Sequence, residues 1–271
     1  MIKKVNHSSQ KEKQSNFDLK SAALLFDQAQ TMGLQPRWET DYGLFSVILP
    51  KQNSAQNINK PPTREFFFQT NLNLNGSRAR ILAKNKQFTR LVLAQANLPN
   101  IPYLLPGSQE QLLTFFNQYQ PLICKPLLGD RSLNVKLITT RQQLANCNLT
   151  MNFFEQFIKG IEYRCLVLQD KVIALQKKEL IPTDQEPWKL FYTGLDKSRW
   201  QPALVSMSKQ IAQLLHLELA GVDFIVDAQG KNWVLEVNSA PGITKIHHPD
   251  AGVSTNAAEL IWAAVLASYS T

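Results

Sequence analysis

The chain is 271 residues long, 44% hydrophobic and 18% charged, with a formal net charge of +8. That composition belongs to a folded globular protein with enough length to bury a core, and excludes a disordered chain. No apolar run approaches a membrane span. The basic residues are scattered, without an arginine-rich run or aromatic–basic alternation, which argues against nucleic acid as a partner.

In chain order, the polar, lysine-rich residues 1–16 lack the apolar stretch of a secretory signal and read as a flexible tail. Ala22, Leu25, Phe26 and Ala29 recur at helical spacing, which predicts a helix over 17–32 closed by Gly33. Strands are expected at 44–49 and 66–68, with an exposed Asn-, Gln- and Pro-rich loop at 51–62 between them. Residues 17–75 thus form a small N-terminal α/β region. One or two short helices follow over 77–96, then an extended piece at 101–104 and a helix at 109–118. A hairpin is expected from 121–126 and 134–138, then a short helix at 140–145 and a strand at 153–158. Residues 162–168 and 172–178 read as a second hairpin, and 179–197, with Pro182, Pro187 and Gly194, as irregular. An amphipathic helix at 203–217 and a capped terminal helix at 254–268 complete the pattern. Cys124, Cys147 and Cys165 fit no zinc spacing and read as free thiols of a cytoplasmic protein.

Between the last two helices lies a hairpin that carries chemistry. Its strands are 222–226 and 233–237, joined by Asp227-Ala228-Gln229-Gly230-Lys231. A four-residue loop, 228–231, puts Asp223 directly opposite Glu236, and the period of two puts Asn238 on the face of Glu236. Two facing carboxylates repel, so a buried pair needs a cation or a shared proton. Two carboxylates and an amide oxygen form a hard-oxygen set suited to magnesium, with phosphate and water completing the shell.

This hairpin resembles the metal-binding hairpin of the ATP-grasp carboxylate–amine ligases, on Gly221-Val222-Asp223 and Glu236-Val237-Asn238-Ser239-Ala240-Pro241-Gly242. The chain is most similar to the ATP-grasp portion of cyanophycin synthetases, then to glutathione-synthetase-like and ribosomal-protein glutamate ligases. The likeness runs from about residue 19 onward and is weakest before Gly76. Four further segments carry it in order. Ala83 to Leu91 resembles the family's helix start and puts Lys86 where a lysine meets nucleotide phosphate. Leu122 to Gly129 ends an apolar strand in Lys125, which is costly to bury without an anion; the resemblance gives it another phosphate. Gly129 to Val135 matches a glycine-rich phosphate loop, with Gly129, Arg131 and Ser132 as contacts, although Ser132 and Asn134 stand where glycines are common. Phe154 to Arg164 is similar to the hinge strand, in which Glu155, Gln156, Phe157 and Ile158 would face the adenine, Glu162 the ribose and Arg164 the acyl phosphate.

The resemblance implies an α+β, ATP-grasp fold over 76–271, with a lid subdomain near 100–150 and a metal-binding subdomain near 151–271 gripping the nucleotide. It implies ATP and magnesium as cofactors, with Asp223, Glu236 and Asn238 as metal ligands. It implies an ATP-dependent ligase acting through an acyl phosphate on amino acid or peptide substrates, with Ser239, Ala240, Pro241 and Gly242 shaping the acceptor pocket. No membrane partner is implied, and a homodimer is the assembly common among relatives. One family element is missing: where relatives have an Asn-rich Gly-Gly segment, residues 191–200 offer only Lys197 and Arg199 as substitute cations, so Arg164 and Arg199 are the catalytic candidates. That departure, with the altered loop, leaves a second reading open: a degenerate ATP-grasp protein that binds nucleotide or a partner without turnover.

Overall fold

The computed structural model describes residues 19–49, 64–70, 72–128, 135–182 and 189–270. The expected tail, the loop at 51–62 and the phosphate-loop candidates Gly129, Arg131 and Ser132 lie outside the described residues. Among those described, no helix is long and apolar enough to cross a membrane.

The elements in chain order are α1 (Leu19–Thr31), β1 (Arg37–Trp38), β2 (Leu44–Ile48), β3 (Arg64–Phe68), α2 (Ser77–Lys84), α3 (Lys86–Gln95), β4 (Tyr103–Leu104), α4 (Gln109–Tyr119), β5 (Leu122–Pro126) and β6 (Lys136–Ile138). There follow α5 (Arg141–Ala145), β7 (Asn152–Gln156), β8 (Gly160–Leu168), β9 (Lys171–Ile181), β10 (Lys189–Gly194), a 3-10 turn (Lys197–Arg199), α6 (Pro202–Leu214), β11 (Leu219–Asp227), β12 (Asn232–Asn238), α7 (Thr244–His247), β13 (Ala251–Gly252) and α8 (Ala257–Ser270).

The chain divides into two compact units. One joins residues 1–74 with 240–249 and 254–271; the other holds 75–239 and 250–253. The break after Leu74 falls next to the expected boundary, but the closing segments group with the N-terminal region rather than with the metal-binding subdomain. The reason is apolar packing within that first unit. Helix α1 buries Ala22, Leu25 and Ala29 on one face, and the Trp262 indole of α8 lies fully buried, donating to the Leu25 carbonyl at 2.8 Å. Phe45 and Phe67, from the antiparallel β1-β2-β3 sheet, meet the Trp262 ring with centroids 6.4 and 5.4 Å away. Burial of such aromatics contributes about 1.5–3 kcal/mol each, and no local pattern announces which face of α8 receives them. Gly33, at φ 74°, takes the left-handed cap conformation expected of it.

The second unit carries two sheets. A six-stranded sheet runs β12-β11-β8-β9-β10-β13, antiparallel except for the β10–β13 pair. A four-stranded antiparallel sheet runs β4-β7-β5-β6. The larger sheet buries Cys165, Val167, Leu175, Val222 and Phe224 against Leu204 and Ile211 of α6 and against Leu93 of α3. The smaller packs Leu122, Cys124 and Phe154 against Leu112 and Phe116 of α4. Asn85 divides the expected helical stretch into α2 and α3, because its extended backbone lets the side chain cap α3, accepting from Gln87 N at 3.0 Å and Phe88 N at 3.2 Å.

One strand expectation needs correction. Residues 179–197 are not irregular throughout: β9 continues to Ile181, and Lys189 to Gly194 return as β10, antiparallel to it. Pro182 directly follows the last residue of β9 and so does not interrupt that strand. The hinge strand β7 pairs with β4 and β5, so it belongs to the smaller sheet. At the start of β8, Gly160 is required by space, since a Cβ there would sit 2.3 Å from the Val226 carbonyl oxygen.

Asn75 fastens the open ends of β11 and β12. Its amide donates to the carbonyls of Leu219 and Ser239, both at 2.7 Å, while its oxygen accepts from Glu218 N and Leu219 N at 2.8 and 3.1 Å. Each orphaned buried group costs about 1–3 kcal/mol. Asn75→Ala is therefore expected to lower unfolding stability by about 2–4 kcal/mol; an unchanged urea midpoint would remove Asn75 from that role.

Candidate active site

The β11–β12 hairpin pairs Asp223 with Glu236, and Gly221 with Asn238. The expected register is reached by a different path. Val226, not Asp227, faces Asn232, because Asp227, the last residue of β11, turns its carboxylate toward the loop, accepting from Gln229 N, Lys231 N and Trp233 Nε1. A bulge at Leu235 then absorbs the offset, so that Phe224 faces Val234 and Asp223 faces Glu236. Bulges of this kind re-aim side chains beside active sites.

Asp223 is almost fully buried and heavily partnered. Arg164, directly across β11 on β8, binds it with both arms at 2.7 and 2.5 Å, and Lys178 of β9 adds a contact at 3.0 Å. Burial pushes the Asp223 carboxyl up, but Arg164 and Lys178 hold it below the ordinary aspartate range. Asn238 donates to its Oδ2 at 3.4 Å. Lys178 also pairs with Glu162. Glu236 is different: burial raises it, Asp223 raises it further, and Lys125, Lys86 and Arg164 only partly oppose.

Glu236 opens onto a cleft of about 200 Å³ between the two sheets. Ile101, Ile123, Ile158, Ile225 and Leu235 give the cleft apolar walls, and Lys86, Lys125, Glu155, Gln156 and Phe157 complete its lining. Lys86 stands at the first position of α3 because Asn85 caps that helix. Lys125 is brought in by the end of β5, and Glu155 by β7. Glu155 carries an ion-pair network: its carboxylate accepts from Lys125 Nζ at 2.5 Å and from Arg90 Nη2 at 2.8 Å. Two cations hold Glu155 low against its burial, while Lys125, buried and sharing its one carboxylate with Arg90, is pushed below the ordinary lysine value. Lys125 is thus left with charge that a second anion would compensate.

The structure gathers Lys86, Lys125, Glu155, Gln156, Phe157, Ile158 and Glu236 around one cleft, with Asp223, Asn238 and Arg164 adjoining Glu236. Glu162 lies beside this set through Lys178 and does not line the cleft. Arg199 is not brought in; it is exposed on the 3-10 turn and absent from the lining. The Ser239 carbonyl is held by Asn75, whereas Ala240, Pro241 and Gly242 belong to the other compact unit. Sequence reading missed Arg90 and Lys178. Both had a signal: Arg90 shares a helix face with Leu93 three positions on, and Lys178 continues the inward alternation of Val172, Ala174 and Gln176.

The donor set suits the expected groups. Among the described residues no cluster of three or more His, Cys, Asp or Glu side chains could hold a metal. What the hairpin offers instead is two carboxylates and an amide, an incomplete oxygen shell that magnesium fills with phosphate oxygens. Lys86, Arg90, Lys125, Arg164 and Lys178 outnumber Glu155, Glu162, Asp223 and Glu236, leaving a positive excess for polyphosphate, and the isoleucine-lined walls suit a base.

An antiparallel sheet and a mixed one hold this cleft, with an acidic hairpin at one wall and lysines from the other, an arrangement that fits a nucleotide. The sequence matches the RimK-like ATP-grasp domain over residues 83–264, and the chain belongs to that family. It is 28% identical over 217 residues to a probable alpha-L-glutamate ligase of Histophilus somni, covering 74% of this chain and 71% of the relative. It is 27% identical over 206 residues to the D-alanine--D-alanine ligase of Pelotomaculum thermopropionicum, covering 65% and 64%. Among solved structures, the ATP-grasp ligase PsnB with its minimal precursor superposes with a TM-score of 0.61 at 20% identity, over 71% of this chain and 64% of that one. A bifunctional glutathione synthetase from Pasteurella multocida gives 0.62 at 14% identity, over 94% and 45%. As a member of that family the protein is an ATP-dependent carboxylate–amine ligase, forming carbon–nitrogen bonds.

Proposed function

We propose that the ligase activates the carboxylate of an amino acid or peptide as an acyl phosphate and joins it to an amine in this cleft. The observation that carries the reading is Glu236 at the cleft wall opposite Lys125, facing the buried Asp223. Asp223, Glu236 and Asn238 would hold magnesium, which supplies charge neutralisation on the phosphates when bound. Lys86 and Lys125 bind and orient the polyphosphate, because phosphoryl transfer depends on position and charge more than on covalent help. Arg164, expected at the acyl phosphate, is instead committed to Asp223 and keeps it ionised beside Glu236, and the apolar walls exclude water that would hydrolyse the acyl phosphate.

The relatives named for glutamate, D-alanine and peptide precursors support a substrate of amino acid or peptide type. A cytoplasmic setting suits the free thiols: burial pushes Cys124 and Cys165 up to about 12, which keeps them unreactive in a reducing compartment. We place Ser239, Ala240, Pro241 and Gly242 at the acceptor side and take a homodimer as the working assembly.

The test is a screen of amino acids and short peptides, in pairs, for ADP release with ATP and magnesium. At a hundred times its Kd, nucleotide is expected to stabilise the protein by about 2.7 kcal/mol, seen as a magnesium-dependent rise in Tm. ADP release with one pair establishes the reading. A thermal shift with no release from any pair supports nucleotide binding without turnover, and no shift at all rejects both.

A further inference from the structure

Arg90 lies outside the cleft lining, yet it is heavily engaged, with a side chain only 3% exposed. Its guanidinium reaches two walls at once. Toward the hairpin, Nη1 donates to the Val234 carbonyl at 2.5 Å and Nη2 to the Leu235 carbonyl at 3.0 Å. Toward the other sheet, Nη2 donates to Glu155 at 2.8 Å. The two carbonyls belong to the bulge that sets Glu236 opposite Asp223. The carboxylate is the one that holds Lys125. Asn100 fixes the arm itself, accepting from Nη1 at 3.3 Å while its amide donates to the Arg90 carbonyl at 2.8 Å.

A bulge interrupts its ladder, and buried carbonyls need partners. Only a planar fork with several donors can serve two adjacent carbonyls and a carboxylate together; a lysine ammonium on a flexible stem has three donors and no fixed fork. We propose that Arg90 is a positioning residue of the ligase, clamping the bulged strand of the acidic hairpin to the strand that carries Glu155. The clamp sets the separation between Glu236 on one wall and Lys125 on the other. It touches no substrate, and its purpose rests on the ligase reading above.

The experiment compares wild type, Arg90→Lys and Asn100→Ala by Mn²⁺ binding in the presence of ADP, followed by electron paramagnetic resonance, with Tm and steady-state kinetics alongside. Partners one step removed from a metal are worth about 10–100-fold in affinity or activity. Arg90→Lys is expected to weaken Mn²⁺–ADP binding about tenfold and to lower kcat by a similar factor, with KM for the amine unchanged. Asn100→Ala, which frees the guanidinium without removing it, is expected to act in the same direction by about threefold, a fraction of that range. A purely structural role would lower the active fraction and Tm while leaving the Mn²⁺–ADP affinity of folded protein untouched, and that result overturns the clamp. If Arg90→Lys does not fold, Asn100→Ala decides: wild-type affinity there also overturns it. A wild type that binds no Mn²⁺–ADP overturns the ligase reading and the clamp with it, whereas binding by wild type and equal binding by both variants overturns the clamp alone.

Discussion

Glu236→Gln is expected to abolish ligation while leaving the metal-free protein at least as stable as wild type. The side chain is the one acid of the hairpin that opens into the cleft, so its loss removes a charged oxygen from the magnesium set where transferring phosphate must be neutralised. A drop of roughly a thousandfold in kcat, equivalent to about 4 kcal/mol of transition-state stabilisation, is the expected scale. The fold should not suffer, because Glu236 is a carboxylate raised by burial and by the facing Asp223. The sign follows from linkage. Between its ordinary value of 4.5 and its raised value in the fold, the folded state binds more protons than the unfolded chain, so stability falls as pH rises through that window. Above the raised value the cost is fully present, and the neutral amide removes it. Turnover at the wild-type rate, or a fall of several degrees in Tm without metal, would contradict this assignment.

Glu155→Gln is expected to produce the largest loss of stability of any single change near the site. Its carboxylate is the shared partner of Arg90 and Lys125, and all three side chains are nearly sealed from solvent. Removing one partner of a buried ion pair costs about 3–5 kcal/mol, because an uncompensated charge stays behind; here two cations are stranded. Adding Lys125→Met to Glu155→Gln should recover part of the loss by removing one of them. For pH the sign is opposite to that of Glu236. Glu155 is held low by Arg90 and Lys125 in spite of burial, so its contribution is fully present above the ordinary 4.5 and disappears as pH falls through the depressed value. The measurement is a set of urea titrations from neutral to acid pH. A Glu155→Gln midpoint within error of wild type, or an identical acid limb for both proteins, would show that the network contributes nothing net.

Much of this was legible in the residues alone. The acidic hairpin was readable because its information is local: alternation along two strands, a turn between them, and three oxygen-bearing side chains at fixed spacing. The same holds for the helices capped by Asn85 and Thr140 and for the β8–β9 hairpin. Lys86 and Lys125 were legible as charges placed at a helix start and a strand end. Arg199 was not correctly placed, because a cation near the missing segment can point to solvent as easily as inward, and spacing does not distinguish the two. Strand β10 was missed because its evidence lies in a partner, Lys177 to Ile181, and not in its own proline-flanked sequence.

The amino-acid order by itself determined which side chains bear the chemistry, since strand and helix periods of two and 3.6 residues act over short distances, whereas the facing of Asp223 and Glu236 also needed the bulge at Leu235. Only the tertiary structure decided what those groups touch: that Arg164 and Lys178 neutralise Asp223, that Arg90 reaches Glu155 and the Leu235 bulge, and that α8 joins the N-terminal unit. These contacts join residues tens to hundreds of positions apart, and which distant partner a buried charge or an apolar face meets is fixed by packing density and desolvation over the whole core, which no local periodicity encodes.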